Sequence, residues 1–170
     1  LGRVLELSIL TVRMPHQVVG MDLARIDWRN GICPVPGAGR RWGEVILSSD
    51  ALATVLRIAG SSSGRGQAVT AGRGQPISNH DVRLDRLRPQ VEAAWPSETA
   101  VEWSFPMVRD SAARILRNDG VSCDAIRLAL GHIPQSVDKK FGFMTDRPFA
   151  LSAINRWAEL LSRKATAAKT

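Results

Sequence analysis

The chain has 170 residues, with 23 Lys plus Arg against 16 Asp plus Glu and a formal net charge of +7. That length suits one domain with a substantial core, and 44% hydrophobic against 23% charged residues excludes wholesale disorder. No apolar run approaches the ~18 residues of a spanning helix, so no membrane association is expected. Lysine occurs only at Lys139, Lys140, Lys164 and Lys169, and every other basic residue is arginine. The planar arginine fork suits bidentate phosphate recognition, so this basic excess predicts a polyanionic partner. Tyrosine is absent altogether. Cys33 and Cys123 lie too far apart for a CxxC knuckle and are expected as free structural thiols. His16, His80 and His132 lack metal-ligand spacing, so neither a metal nor a cofactor is predicted.

Two helices joined at Thr11 to Pro15 are predicted over Val4 to Ala24, because Pro15 breaks an otherwise periodic apolar stretch. Arg3, Glu6 and Arg13 interrupt that stretch, which excludes a signal peptide. The chain opens on Leu1 inside this periodicity and is expected to be a fragment cut at a domain boundary. Glycines and prolines then punctuate three β-leaning pieces, Arg25–Trp28, Gly31–Val35 and Glu44–Leu47, which predict a small antiparallel sheet. Ser48 or Ser49 caps a helix over Asp50 to Ala59 that stops at Gly60. A mobile surface loop is expected at about 60–77, where Gly-Arg-Gly-Gln occurs at 64–67 and again at 72–75. Its spacing fits neither a Walker loop nor a dinucleotide fingerprint. Helices are predicted from 79 or 80 to 94, from Pro106 to Asn118, and from Ser122 to Leu130 with Gly131 as terminator. After a short segment Ser136–Phe141, Pro148 opens a last amphipathic helix at about 148–163, with a basic tail expected to fray. Phe149, Leu151, Ile154, Trp157, Leu160 and Leu161 form its apolar side, and the five tryptophans are expected as core anchors. The fold class is therefore α+β and mainly α-helical, with a small antiparallel sheet near the N-terminal end.

Three stretches in order carry a family pattern. The first is Ile9-Leu10-Thr11-Val12-Arg13-Met14 with Gln17-Val18-Val19-Gly20-Met21 and Arg25-Ile26-Asp27. The second is Val108-Arg109-Asp110-Ser111-Ala112-Ala113, then Leu116 and Asn118-Asp119-Gly120-Val121. The third is Leu130-Gly131-His132 with Val137, and with Phe141 nine residues after the histidine. Together they resemble the catalytic domain of tyrosine recombinases, the phage-integrase family, from Leu5 to about Leu161. The resemblance implies a single integrase-like catalytic domain over residues 1–170, with the family's separate core-binding domain missing upstream.

In that family a tyrosine oxygen attacks a DNA phosphodiester without metal and leaves a 3′-phosphotyrosyl link. Two arginines hold the phosphoryl oxygens, while a lysine and histidines handle the proton of the departing 5′ oxygen. Carried over position by position, most of this set is replaced. Met14 stands where the first arginine belongs, and its neighbour Arg13 can serve only if the turn is reshaped. Ala38 is the match for the lysine, with only Arg40 and Arg41 basic nearby. Pro106 replaces the histidine of His-x-x-Arg, Arg109 and His132 are retained, and Phe141 occupies the nucleophile position. Phenylalanine has no oxygen, and no other segment supplies a tyrosine.

The resemblance implies a degenerate recombinase domain that binds duplex DNA without cutting it, in a bacterial cytoplasm and on the nucleoid. Arg13, Arg40, Arg41, Arg109, Lys139 and Lys140 are the expected DNA contacts. Two alternatives stay open: an active integrase whose tyrosine is replaced at Phe141, and an interaction module with no DNA role. Arg109 has a plainer alternative as an ion pair with Asp110 or Glu102, and His132 one as a helix cap. The last helix either docks onto another copy or an active recombinase, or folds back on its own domain.

Overall fold

A computed structural model describes residues 2–36, 42–60, 89, 104–132 and 142–167. The expected loop beyond Gly60, the helix at 79–94, Trp95, Trp103, the segment 136–141, and the site residues Ala38, Arg40, Arg41, Lys139, Lys140 and Phe141 lie outside the described residues.

Helix α1 (Gly2–Thr11) buries Val4, Leu7, Ser8 and Thr11, the i, i+3, i+4, i+7 stripe of a helix with one face on a core. Pro15 opens α2 (Pro15–Val19) at a position where its missing N–H has no helical acceptor to lose. The Gln17 side chain accepts the Met14 N–H at 3.3 Å. The predicted strand Arg25–Trp28 does not form. Asp22 takes the Ala24 N–H and starts a 3₁₀ turn at Leu23–Arg25, while Asp27 Oδ1 accepts from the Arg29 and Asn30 amides. These local side-chain bonds outcompete an extended ladder and leave one isolated bridge between Asp27 and Ile32. Trp28 rides on that turn and is 41% exposed, against its expected core role.

Strand β1 (Ile32–Pro36) pairs antiparallel with β2 (Trp42–Ile46), Cys33 opposite Val45 and Pro34 opposite Glu44. Cys33, Val35 and Val45 face one core, so strand alternation turns Glu44 and Ile46 to the other side of the sheet. Ser48, rather than Ser49, caps α3 (Ser49–Gly60), accepting the Ala51 amide at 3.2 Å. The Arg57–Glu6 pair joins α3 to α1 at 2.5 Å. Helix α4 (Phe105–Asn118) is capped by Ser104, and α5 (Cys123–Ala129) by Ser122. Both cysteines are free thiols, Cys33 buried and Cys123 exposed.

The last helix, α6 (Gly142–Ala167), starts before Pro148 and continues past Arg163 and Lys164 to Ala167. Pro148 lies inside it, costing one backbone hydrogen bond near the N-terminal end, while packing against α5 holds the rest. Ala150, Ala153, Ile154 and Trp157 form the buried face, the two alanines allowing close approach. Phe149 stands outside that contact at 60% exposure, contrary to its expected place on the apolar side. Trp157 Nε1 donates to the Ile9 carbonyl at 2.7 Å, so the stripe folds back on its own domain.

Two hydrophobic clusters result. One joins α1, α2, the sheet and α3, and the other joins α4, α5 and α6. Val12 and Ile46 are the residues by which the N-terminal half enters the second cluster.

Trp157→Phe removes the indole donor to Ile9 and leaves its carbonyl only the longer Val12 amide bond, so a loss of about 0.5–1.5 kcal/mol is expected in urea unfolding. Trp28→Phe, on the exposed turn, is expected to stay within ~0.5 kcal/mol.

Candidate functional site

The site begins with how α1 ends. The Val12 amide donates to the Ile9 carbonyl and the Arg13 amide to the Ser8 carbonyl, at 3.4 and 3.2 Å. This is the bond pattern of a Schellman cap, which calls for a left-handed residue in the place Val12 occupies. Val12 takes it, with φ 52°, a conformation glycine adopts freely and a β-branched residue rarely. The Val12 side chain is fully buried in the second cluster, and Arg13 is turned inward to 3% exposure.

Helix α5 ends in the same manner. Gly131 donates to Leu128 O and His132 to Arg127 O, at 2.8 and 2.9 Å, with Gly131 at φ 78°. A Cβ on Gly131 would fall 1.3 Å from Arg13 Nη1, so glycine is required both by backbone conformation and by the arginine lying against it. Arg13 Nη2 donates to the Glu44 backbone carbonyl at 2.7 Å, and Arg13 Nε is buried without a partner among the described residues.

Arg109 reaches the place from α4. Its Nη2 donates to Leu130 O at 2.9 Å and approaches His132 Nε2 at 3.5 Å, while its Nε is also buried and unpartnered among the described residues. The helix-end carbonyls carry partial negative charge, which helps hold two guanidinium groups in one small region. Burial and the Arg109 charge still hold the Arg13 pKa down at about 10, with Glu44 opposing them. Burial lowers that of Arg109, against the pull of Asp110. Burial, then Arg109, Arg127 and Arg13, push the His132 imidazole below its ordinary 6.5, so it is neutral at pH 7.

A cavity of about 60 Å³ opens beside these groups, with Arg13, Glu44, Ile46, Gly131, His132 and Arg147 on its wall. Arg147, from the start of α6, grips the Glu44 carboxylate through Nε at 3.1 Å and through Nη2. Of the residues expected at a site, Arg13, Arg109 and His132 come together. Met14 is the N-cap of α2 and Pro106 lies in the first turn of α4; neither lines the cavity. Arg109 bonds Leu130 O and lies near His132, with no ion pair to Asp110 among the described residues; Glu102, the other partner considered, lies outside them. Glu44 and Arg147 were not legible as site residues. Strand alternation could have placed Glu44 on the Ile46 face, but no local signal marks Arg147. Among the described residues no group of His, Cys, Asp or Glu could hold a metal ion, and no helix is long and apolar enough to cross a membrane.

No family model and no curated protein matches the chain. Among solved structures, a crystal structure titled as XerA recombinase superposes with a TM-score of 0.54 at 16% sequence identity, over 96% of this chain and 60% of that one. The chain has a recombinase-like fold. At that identity the likeness establishes architecture, and the chain spans only about 60% of the recombinase it matches. The recombinase-like fold agrees with the helical α+β class expected from the sequence, small antiparallel sheet included.

Gly131→Ala forces a left-handed alanine and expels the Arg13 guanidinium, so a loss of about 1–3 kcal/mol in urea unfolding is expected. Stability also depends on pH through His132. Its folded pKa is lowered, so the unfolded chain binds the proton first as pH falls. The His132 contribution is full above pH ~6.5 and declines below it until the folded imidazole protonates too. Urea unfolding from pH 8 to 5 checks this: His132→Gln is expected to flatten the decline.

Proposed function

We propose that the chain is the DNA-binding domain of a degenerate tyrosine recombinase, able to hold a duplex phosphate but unable to cleave the strand. One observation carries this: buried Arg13, from the turn after α1, and half-buried Arg109, from α4, converge beside one cavity, each with its Nε unpartnered among the described residues. Like charges buried side by side, with donors unspent, are costly unless an anion completes them. A phosphodiester supplies two charged oxygens, and arginine meets such oxygens with paired, charge-assisted bonds. A chain without any tyrosine lacks the family's nucleophile, and phenylalanine at 141 cannot attack phosphorus. Binding therefore rests on phosphate neutralisation, with Arg40, Arg41, Lys139 and Lys140 as further contacts along the backbone.

The Val12 turn favours a second reading. Arg13 faces inward beside Met14, and on this reading it takes the role of the family's first arginine. On that reading the chain is a site-specific integrase whose tyrosine is replaced at Phe141.

Anisotropy with a labelled duplex tests the first reading. Affinity is expected to fall with salt at a log–log slope of about −0.9 per neutralised phosphate. Arg13→Ala and Arg109→Ala should each weaken binding about 10- to 100-fold, the scale of a hydrogen bond to a charged group. A nicked suicide duplex should yield no covalent adduct, with the chain as it stands and with Phe141→Tyr alike. Cleavage recovered by Phe141→Tyr selects the integrase reading. Unchanged affinity in Arg109→Ala, with heparin competing as well as DNA, rejects both in favour of a module with no DNA role.

A further inference from the structure

The cavity wall carries one carboxylate among its cations. Glu44 sits on the sheet face that looks toward α6, with its backbone oxygen on Arg13 and its side chain on Arg147. Its charge is close enough to Arg13 to oppose the burial that lowers that group. Gly43, beside it on β2, adds no side chain to the wall. Arg147 remains 35% exposed and Glu44 23%, so their bond is made at the cavity mouth and can be exchanged.

Building on the reading above, we propose that Arg147 is a third phosphate-binding arginine of this site, and that Glu44 occupies the anion position until a DNA phosphate displaces it. The carboxylate offers both oxygens to the planar Arg147 fork as a phosphate would, while Arg13 is met by the Glu44 backbone carbonyl. A duplex brings several phosphates at once and meets Arg13 and Arg109 already in place, so it outcompetes one partly exposed carboxylate. Release of Arg147 then adds a counterion-displacing contact that the free chain keeps satisfied internally. The Glu44–Arg147 pair also joins β2 to α6, so displacement by DNA would reach the last helix.

Double-mutant measurements of duplex binding across salt test this. Glu44→Gln keeps an acceptor and the shape, and is expected to raise affinity about two- to fivefold, the scale of a half-exposed ion pair. Arg147→Ala is expected to lower affinity and to reduce the salt slope by about 0.9, one phosphate contact. In the Arg147→Ala background, Glu44→Gln should give no gain. A gain that persists there means that Glu44 merely repels DNA, and overturns the proposal. An unchanged salt slope in Arg147→Ala, with only a lower unfolding midpoint, means the pair is a structural latch and overturns it too. If the unaltered chain binds DNA and Arg13→Ala weakens it while Glu44→Gln does nothing, this inference fails and the function stands. If no form binds DNA, both fail.

Discussion

The contact between the Arg13 guanidinium and the bare backbone of Gly131 governs the rest of the structure. It exists because two helices end alike, each in a left-handed residue, and the Arg13 side chain after the first lies against the second. At α5 that residue is glycine, at little cost. At α1 it is Val12, where left-handed backbone costs about 1–2 kcal/mol. Burying the valine side chain returns about 1.5–3 kcal/mol, so burial offsets strain and the turn holds. The same burial joins the N-terminal half to the cluster of α4, α5 and α6. Arg13 thus sits on the seam between two cores.

Electrostatics at that seam is assembled from backbone as much as from side chains. The carbonyl of Leu130 at the end of α5 takes Arg109, and that of Glu44 on β2 takes Arg13. Neither guanidinium has a carboxylate in hydrogen-bond contact among the described residues, whereas Arg147 and Arg156 are each held by acidic side chains. Half-neutralised arginines can take a strong acceptor directly, whereas paired ones must first release a carboxylate. Neutral His132 fits the same balance, since a third full charge beside Arg13, Arg109 and Arg127 would add to their repulsion.

Much of this architecture was legible from residue order. Serine caps, the Pro15 break, the terminating glycines and the β1–β2 pairing all act within a few residues, and such signals are local. Pro148 misled because proline is so often a first-turn residue, while contacts with α5 made elsewhere along α6 carry the helix past it. Phe149 and Trp28 misled because large apolar side chains suggest burial, whereas small alanines and an Asp-capped turn decided the contacts. Arg109 and His132 were visible through their resemblance to a family pattern. Arg13 was visible only conditionally, since whether it faces in depends on one backbone angle at Val12. The Glu44–Arg147 pair joins residues 103 positions apart and leaves no trace in spacing.

A helix junction that had only to be stable would be built differently. Glycine at position 12 would relieve the backbone, and an apolar residue at 13 would fill the seam without desolvating a charge. Replacing buried ionic groups by packed hydrophobic ones is often neutral or stabilising by about 1–4 kcal/mol. The chain instead holds a strained valine, a buried and a half-buried guanidinium, each with its Nε unpartnered among the described residues. Such an arrangement is favourable when an anion arrives, because the cost of gathering the charges has been met in folding and need not be met again on binding. Phosphate binding and strand cleavage draw on separate groups: the first needs preorganised cations, the second an oxygen nucleophile and a proton donor. On the proposed reading, the second set is lost while the first is kept, and the two can part because they share no group.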